Sequence, residues 1–455
     1  MKIFSCVIIF IFYLLPNVEA QSAKEKQDAF SIAGELQRPV LLIFSGSDWC
    51  LPCQWLEKNI FSDTGFKNFA KDNLVVLKVD FPQKHKLSQE RRTCNEQLAE
   101  EFNPEGTFPL LLLVTPKRTV LTLLYYKNYS PEEFMNQVKE TLQSSGLWKE
   151  YKATAKLMGS AFEFVITADN DKNGAQLLQD CISEVQRMEK ILTEFSEDSE
   201  TSLINRNAGK QAVEVSGEMY SLLQRCIHIS SVTDGAFDIT SGGLKKLYNF
   251  KRKDFEFPDK KTIHETLQKT GFKKIKLFPN NKVYLETGGM HIGFGAIGKG
   301  YAADKVKNWM QQKGVSAGVI NASGDLTVWG KRINGKEWKA GIASPDDNSK
   351  IILWLPLNGL SIATSGNYEQ FFEVNGVRYS HNIDPKTGYP TKGIKSVSVI
   401  SPGAELSDAL ATAVTVMGID AGLHLVNQLP QTHCIIIDEN NKLYNSKKIN
   451  LNLTS

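Results

Sequence analysis

Cysteine is scarce in this chain. There are seven in 455 residues, and apart from Cys50 and Cys53 they are scattered. That is too sparse for a fold stapled by disulfides, and it lacks the repeated pairs of a zinc site. A strong charge of one sign is also missing: 53 Lys and Arg face 50 Asp and Glu, for a formal net charge of +3. The charges are interspersed, without a basic block, which excludes nucleic acid as an indicated partner. Long apolar runs are missing too, apart from residues 3–15. That run follows Lys2, precedes Val18-Glu19-Ala20, and is well short of the roughly 20 residues that span a bilayer. Residues 1–20 therefore read as a secretory signal peptide, with an uncleaved anchor as the alternative. The mature chain is expected to be exported, either periplasmic or peripheral at a membrane.

The length suits two or three domains, and Gln143-Ser144-Ser145-Gly146 is the best linker. Ahead of it, residues 21–145 carry three apolar runs that read as buried strands, at 40–44, 74–79 and 110–114. A helix is expected from Pro52 to Ile60, and another opens at Pro131, where proline is tolerated in a first turn. Cys50-Leu51-Pro52-Cys53 falls between the first strand and its helix. A helix N-terminus stabilises a thiolate, so Cys50 is expected to be acidified and exposed, with Cys53 buried.

Residues 150–455 open with alternating Phe162, Phe164 and Ile166, a strand signal, followed by helical periodicity over 177–192. Gly293-Phe294-Gly295-Ala296-Ile297-Gly298 satisfies the dinucleotide-binding pattern but lacks an acidic residue at the end of the following strand, 317–320; Asp325 comes later. The same letters nearly spell a phosphate-binding loop, yet Gly300 stands where a magnesium-binding Ser or Thr belongs. What remains is a glycine-rich turn opening a helix, a good seat for phosphate or pyrophosphate. Further on, Asp408 and Thr412 are four apart, so on a helix both oxygens share one face. That pair suits a hard cation such as Mg²⁺.

Two resemblances follow from these residues. Gly46-Ser47-Asp48-Trp49-Cys50-Leu51-Pro52-Cys53 on a strand-to-helix turn resembles thioredoxin, in its secreted thioredoxin-like branch, over roughly residues 35–140; the resemblance implies that the proline matching Pro109 is cis. The rear domain resembles the ApbE family through an ordered set of blocks. These are Met158-Gly159-Ser160, Ser199-Glu200-x-Ser202-x-x-Asn205, Gly235-Ala236-Phe237-Asp238, Gly295 to Asp304, Asn321-Ala322-Ser323-Gly324-Asp325, Thr364 to Tyr368, His381 to Gly388 and Ser407 to Ala413. The expected fold is accordingly α/β and α+β: a thioredoxin-like domain, then an ApbE-type flavin transferase domain.

The ApbE resemblance implies Mg-dependent transfer of FMN from FAD to a Thr or Ser hydroxyl of an exported or membrane-bound acceptor protein, with release of AMP. It implies Asp408, Thr412 and the carbonyl of Ala296 as Mg²⁺ ligands. It implies FAD contacts at Met158, Phe195, Ala236, Phe237, Asp238, Ala296, Lys299, His381 and Ile383. His381 matches an active-site histidine; Asp384 is expected to orient it or to help position the metal. The chain departs from the family at Ser160, where threonine is common, at Gly293, where an acidic residue is frequent, and at Phe195, often tyrosine. The alternatives are an exported thiol-disulfide oxidoreductase, with Cys50 and Cys53 acting on a partner beside a non-catalytic FAD-binding domain, or an FAD pyrophosphatase.

Overall fold

Val40–Ser45 is apolar up to its final serine because it lies inside a sheet, with all six residues buried. In the computed structural model it pairs in parallel with Val75–Asp80 and antiparallel with Leu110–Val114, and Val120–Leu123 closes the edge. The structure describes residues 23–447 except 37, 128, 146–148, 169–170, 249, 251–256, 334, 367–370 and 375. The signal-peptide reading therefore lies outside the described residues, as do Gly146, Asn367 and Tyr368. The chain divides into two units, Met1–Ser145 and Gly146–Ser455.

The first unit packs Phe30, Phe44, Leu77, Val79, Leu98 and Val114 into one core. Its closing helix, Pro131–Ser144, starts with a capping box between Ser130 and Glu133, which satisfies two orphan amides reciprocally. This helix takes up Gln143 and Ser144, so the expected linker is shorter than the sequence suggested. The peptide bond Phe108–Pro109 is cis. Leu51–Leu56 is helical and continues into a wider turn at Glu57–Phe61.

The second unit is built on an eight-stranded sheet. From one edge its strands are Leu443–Asn445, His433–Asp438, Ile394–Ser401, Ser361–Gly366, Asp325–Trp329, Gly318–Ala322, Ser160–Ala168 and Lys149–Leu157. Every neighbouring pair is antiparallel. This excludes a doubly wound dinucleotide fold, whose sheet is mostly parallel. The alternation at Phe162, Phe164 and Ile166 turns all three inward, fully buried. They meet Leu177, Cys181, Val185 and Met188 from the helix Asp171–Leu192, and Tyr301, Ala302 and Val306 from the helix Gly298–Gln312.

Two helices position the site: Gly298–Gln312 and Ala404–Met417. They approach so closely at Gly300 that a Cβ there would lie 2.2 Å from the carbonyl oxygen of Ala404 and 2.9 Å from Cβ of Asp408. Gly300 is therefore a packing glycine, and the Ser or Thr of a phosphate-binding loop has no room there. One turn on, Asp304 accepts the amides of Ala404 and Glu405, each at 2.9 Å. It thus caps the start of the second helix from the side of the first.

Candidate active site

Segments far apart in sequence meet in one cleft of about 320 Å³. The glycine turn supplies Gly293, Gly295, Ala296 and Lys299; the sheet supplies Ser323, Asp325, Thr364, Ser365 and Gly366. Ala236, Asp238 and Lys245 come from one loop region, His381, Ile383 and Pro385 from another, and Asp408 and Thr412 from the helix Ala404–Met417. Glu194 completes one wall.

Local hydrogen bonds fix these segments. The Asn205 side chain accepts from the amide of Ile292 at 2.8 Å and donates to its carbonyl at 3.0 Å. This is the physical content of the Ser-x-x-Asn block: it pins the strand of chain entering the glycine turn. Gly293 donates to the carbonyl of Ile239 at 2.9 Å, tying that turn to the Asp238 loop. Asp238 accepts from Thr240 and from the amide of Phe272 at 2.8 Å. Burial pushes its carboxyl pKa up, against those hydrogen bonds. Beside His381, the Asn382 amide donates to Ser365 Oγ at 2.9 Å, anchoring the histidine loop to the sheet.

The electrostatic centre is a pair of buried carboxylates. Asp325, 2% exposed, accepts from Lys299 Nζ at 2.6 Å. Asp408, 7% exposed, accepts one hydrogen bond, from the amide of Gly300 at 3.2 Å. Burial first and the charge of Asp325 second push Asp408 up to about 8, with Lys299 and the Gly300 amide opposing. A buried carboxylate with one long hydrogen bond beside a second carboxylate leaves negative charge undercompensated, a situation that a cation relieves. No cluster of three His, Cys, Asp or Glu suited to a metal occurs among the described residues. The residues present nonetheless fit Mg²⁺, which takes one or two carboxylates and keeps water or substrate phosphate for the rest. Thr412, one helical turn from Asp408, and Ala296 face the same cleft.

A second charged group lines the wall. Glu194 Oε2 accepts from His291 Nε2 at 2.5 Å and from Lys246 Nζ at 3.0 Å. The His291 hydrogen bond, reinforced by Lys246, holds the Glu194 pKa down to about 2 despite partial burial. A Cβ on Gly293 would lie 3.3 Å from Glu194 Oε1, so this carboxylate sits beside the glycine turn.

Six residues expected to touch flavin line the cleft: Ala236, Asp238, Ala296, Lys299, His381 and Ile383. Four others expected at the site do not. Phe237 is 1% exposed and packs into the core, because its ring faces away from the cleft-lining Ala236 and Asp238. Phe195 is 90% exposed on its loop. Met158 adopts a left-handed backbone and sits behind the glycine turn, its Cε 3.5 Å from where a Cβ on Gly298 would be. Asp384 is occupied within its own turn. Its oxygens accept the Lys386 amide and the Thr387 hydroxyl, both at 2.9 Å, and its backbone closes the turn through Gly388 and Tyr389. Asp325, Glu194 and Lys245 had no expected role. Asp325 stood in the Asn-Ala-Ser-Gly-Asp block; nothing local marked the other two.

In the first unit, Cys50 and Cys53 form a disulfide. Cys50 stands at the N-terminus of Leu51–Leu56, and its sulfur accepts the Cys53 amide at 3.3 Å. Both are buried, at 4% and 5% exposure, so the expected exposed Cys50 is corrected for this oxidised state. Exposed Trp49, Leu51 and Trp55 surround them. A larger, shallower hollow of about 600 Å³ lies at Arg225, Tyr301 and Glu405. Its ionic groups satisfy one another, with Arg225 bonded to Glu405 and Tyr301 to Glu218, so it is not the reactive centre.

A glycine turn opening a helix over buried carboxylates and a lysine defines a class, the enzymes that work on phosphate-bearing substrates. Comparison with known proteins makes the class specific. The model of the ApbE family matches residues 158–436, and a model described as thioredoxin-like matches residues 24–116. An FAD:protein FMN transferase of Klebsiella pneumoniae is 31% identical over 293 residues, 64% of this chain and 90% of that protein. One from Treponema pallidum is 30% identical over 276 residues, 57% of this chain and 76% of its own. The crystal structure of the ApbE protein from Thermotoga maritima matches with a TM-score of 0.61 at 30% identity, covering 66% of this chain and 97% of that one. Flavin transferase ApbE from Vibrio cholerae, 23% identical, matches in fold with a TM-score of 0.59 over 66% of this chain and 98% of its own. The chain belongs to the ApbE family, and with it to the flavin transferases, and carries a thioredoxin-like unit in front.

Proposed function

We propose that the cleft binds FAD and Mg²⁺ and transfers FMN to a Thr or Ser hydroxyl of another, exported protein, releasing AMP. The observation that carries this reading is the undercompensated Asp408 beside Asp325, set against a glycine turn that opens a helix. Asp408 and Thr412, with the Ala296 backbone, would hold the cation, which when bound draws charge off the diphosphate.

In this reading the acceptor hydroxyl oxygen attacks the phosphorus bonded to riboflavin. A P–O bond forms there, and the bond from that phosphorus to the bridging oxygen breaks. AMP leaves with the electron pair. His381, which lines the cleft, would take the hydroxyl proton, a task suited to imidazole. Lys299, held against Asp325, fixes the floor of the cleft, and the amides of the glycine turn offer donors to phosphate oxygens. Export of both enzyme and target is proposed from the apolar run at residues 3–15.

The test is mass spectrometry of a threonine-bearing acceptor fragment incubated with the protein, FAD and Mg²⁺. An FMN-sized increase that disappears in Asp408→Ala is expected. AMP released without that increase would replace transfer by pyrophosphatase activity, and neither product would sink both.

For the first unit we propose thiol-disulfide exchange, in which the Cys50–Cys53 dithiol is oxidised as a partner disulfide is reduced. The observation favouring it is the pair at a helix N-terminus under an exposed apolar rim of Trp49, Leu51 and Trp55. A dithiol form that fails to reduce any protein disulfide would exclude it.

A further inference from the structure

The lysines at and beside the cleft can be paired off among the described residues, and one is left over. Lys299 is bound to the buried Asp325 at 2.6 Å. Lys246 is bound at 3.0 Å to Glu194, which His291 also satisfies. Lys245 lines the same cleft and makes no hydrogen bond or ion pair among the described residues. Its position is set by its neighbour: Leu244 is fully buried against Tyr248 and Ile383, which anchors the short helix Gly242–Lys245 at the cleft wall.

Lys245 is exposed along the cleft, so water solvates its ammonium in the free protein and a ligand in the cleft can reach it. Glu194 is not the missing partner, because its carboxylate is already shared by His291 and Lys246. What remains is positive charge at Lys245, which calls for an anion.

We propose that Lys245 is the cleft's cation for the substrate's phosphate groups, and that it makes the site prefer a phosphorylated flavin over the bare flavin. This rests on the reading of the cleft as the FAD site. Lys299, already neutralised by Asp325, then acts mainly on the carboxylate pair, and Lys245 acts on the ligand. The ammonium supplies a charge-assisted donor to a phosphate oxygen, among the stronger hydrogen bonds available to a protein.

The experiment uses the full chain and measures binding of FAD and riboflavin at several salt concentrations, without acceptor. In Lys245→Gln, FAD binding is expected to weaken about tenfold or more, as for loss of a hydrogen bond to a charged group. Riboflavin binding should stay unchanged, and the salt dependence of FAD binding should flatten. Lys245→Arg should restore most of the FAD affinity. Equal weakening of FAD and riboflavin, or unchanged FAD affinity, would overturn the assignment while leaving the cleft as the flavin site. A wild-type chain that binds neither flavin would remove the reading of the cleft, and the role of Lys245 with it. Since Lys245 has no partner to lose in the folded protein, melting of Lys245→Gln should match wild type and separate a binding defect from misfolding.

Discussion

Asp408 is the residue on which the proposed chemistry turns, because its carboxylate is buried and is offset by one long amide hydrogen bond among the described residues and by the charge of Lys299. Asp408→Asn keeps the shape and removes the charge. Transfer of FMN to an acceptor should fall about a hundredfold or more, the scale seen when one electrostatic contact to a transition state is lost. Mg²⁺ binding followed by calorimetry should weaken in parallel. Glu194 gives a prediction of the opposite kind. Its pKa is held down to about 2 by His291 and Lys246, from an ordinary value of 4.5. A depressed carboxyl pKa contributes stability that is fully present above the unfolded value and is lost as pH falls through the folded one. Wild type should therefore melt above Glu194→Gln at neutral pH. The gap should close as pH drops from 4.5 toward 2; a gap that stays constant across that window would dissociate Glu194 from its cationic partners.

At the scale of elements, the site depends on the crossing of the helices Gly298–Gln312 and Ala404–Met417. Gly300→Ala would drive a methyl to 2.2 Å from the Ala404 carbonyl, and overpacking of this kind costs about 1–3 kcal/mol. Denaturant unfolding should register that loss, with transfer activity falling further than stability alone explains, because Asp408 moves with its helix. Asp304→Ala removes the cap on Ala404 and Glu405 and should cost about 1 kcal/mol, with Asp304→Asn recovering part of it. These elements were unevenly legible in the sequence. Strands such as 110–114 and the alternation at 162–166 could be read because burial imposes a short period on neighbouring residues. The glycine turn could be read as a helix-opening anion seat, and the failed magnesium position at Gly300 could be seen. The reason for Gly300 could not, since it lies a hundred residues away at Ala404. Asp325, Glu194 and Lys245 were hidden for the same reason: their roles come from side chains that only the antiparallel sheet and its loops bring together.

For the whole molecule, the division into Met1–Ser145 and Gly146–Ser455 separates the unit that holds the Cys50–Cys53 disulfide from the ApbE-family unit. Ordered motifs made both parts recognisable in the sequence, because thiol chemistry needs its pair at a helix N-terminus and phosphate chemistry needs close backbone approach. Every residue lining the proposed flavin cleft belongs to the second unit, which has its own core from Leu157 to Ala413. A chain of residues 146–455 should therefore fold alone and modify a short peptide acceptor at a rate within about twofold of the full chain, given that domains with separate cores fold as units. The full chain with Cys50→Ser should match it on that peptide. An acceptor protein containing cysteines is the discriminating substrate. If the disulfide unit prepares the acceptor, the full chain in its dithiol form should outpace both the shortened chain and Cys50→Ser on the oxidised acceptor alone. Equal rates on every acceptor would detach the Cys50–Cys53 pair from flavin transfer.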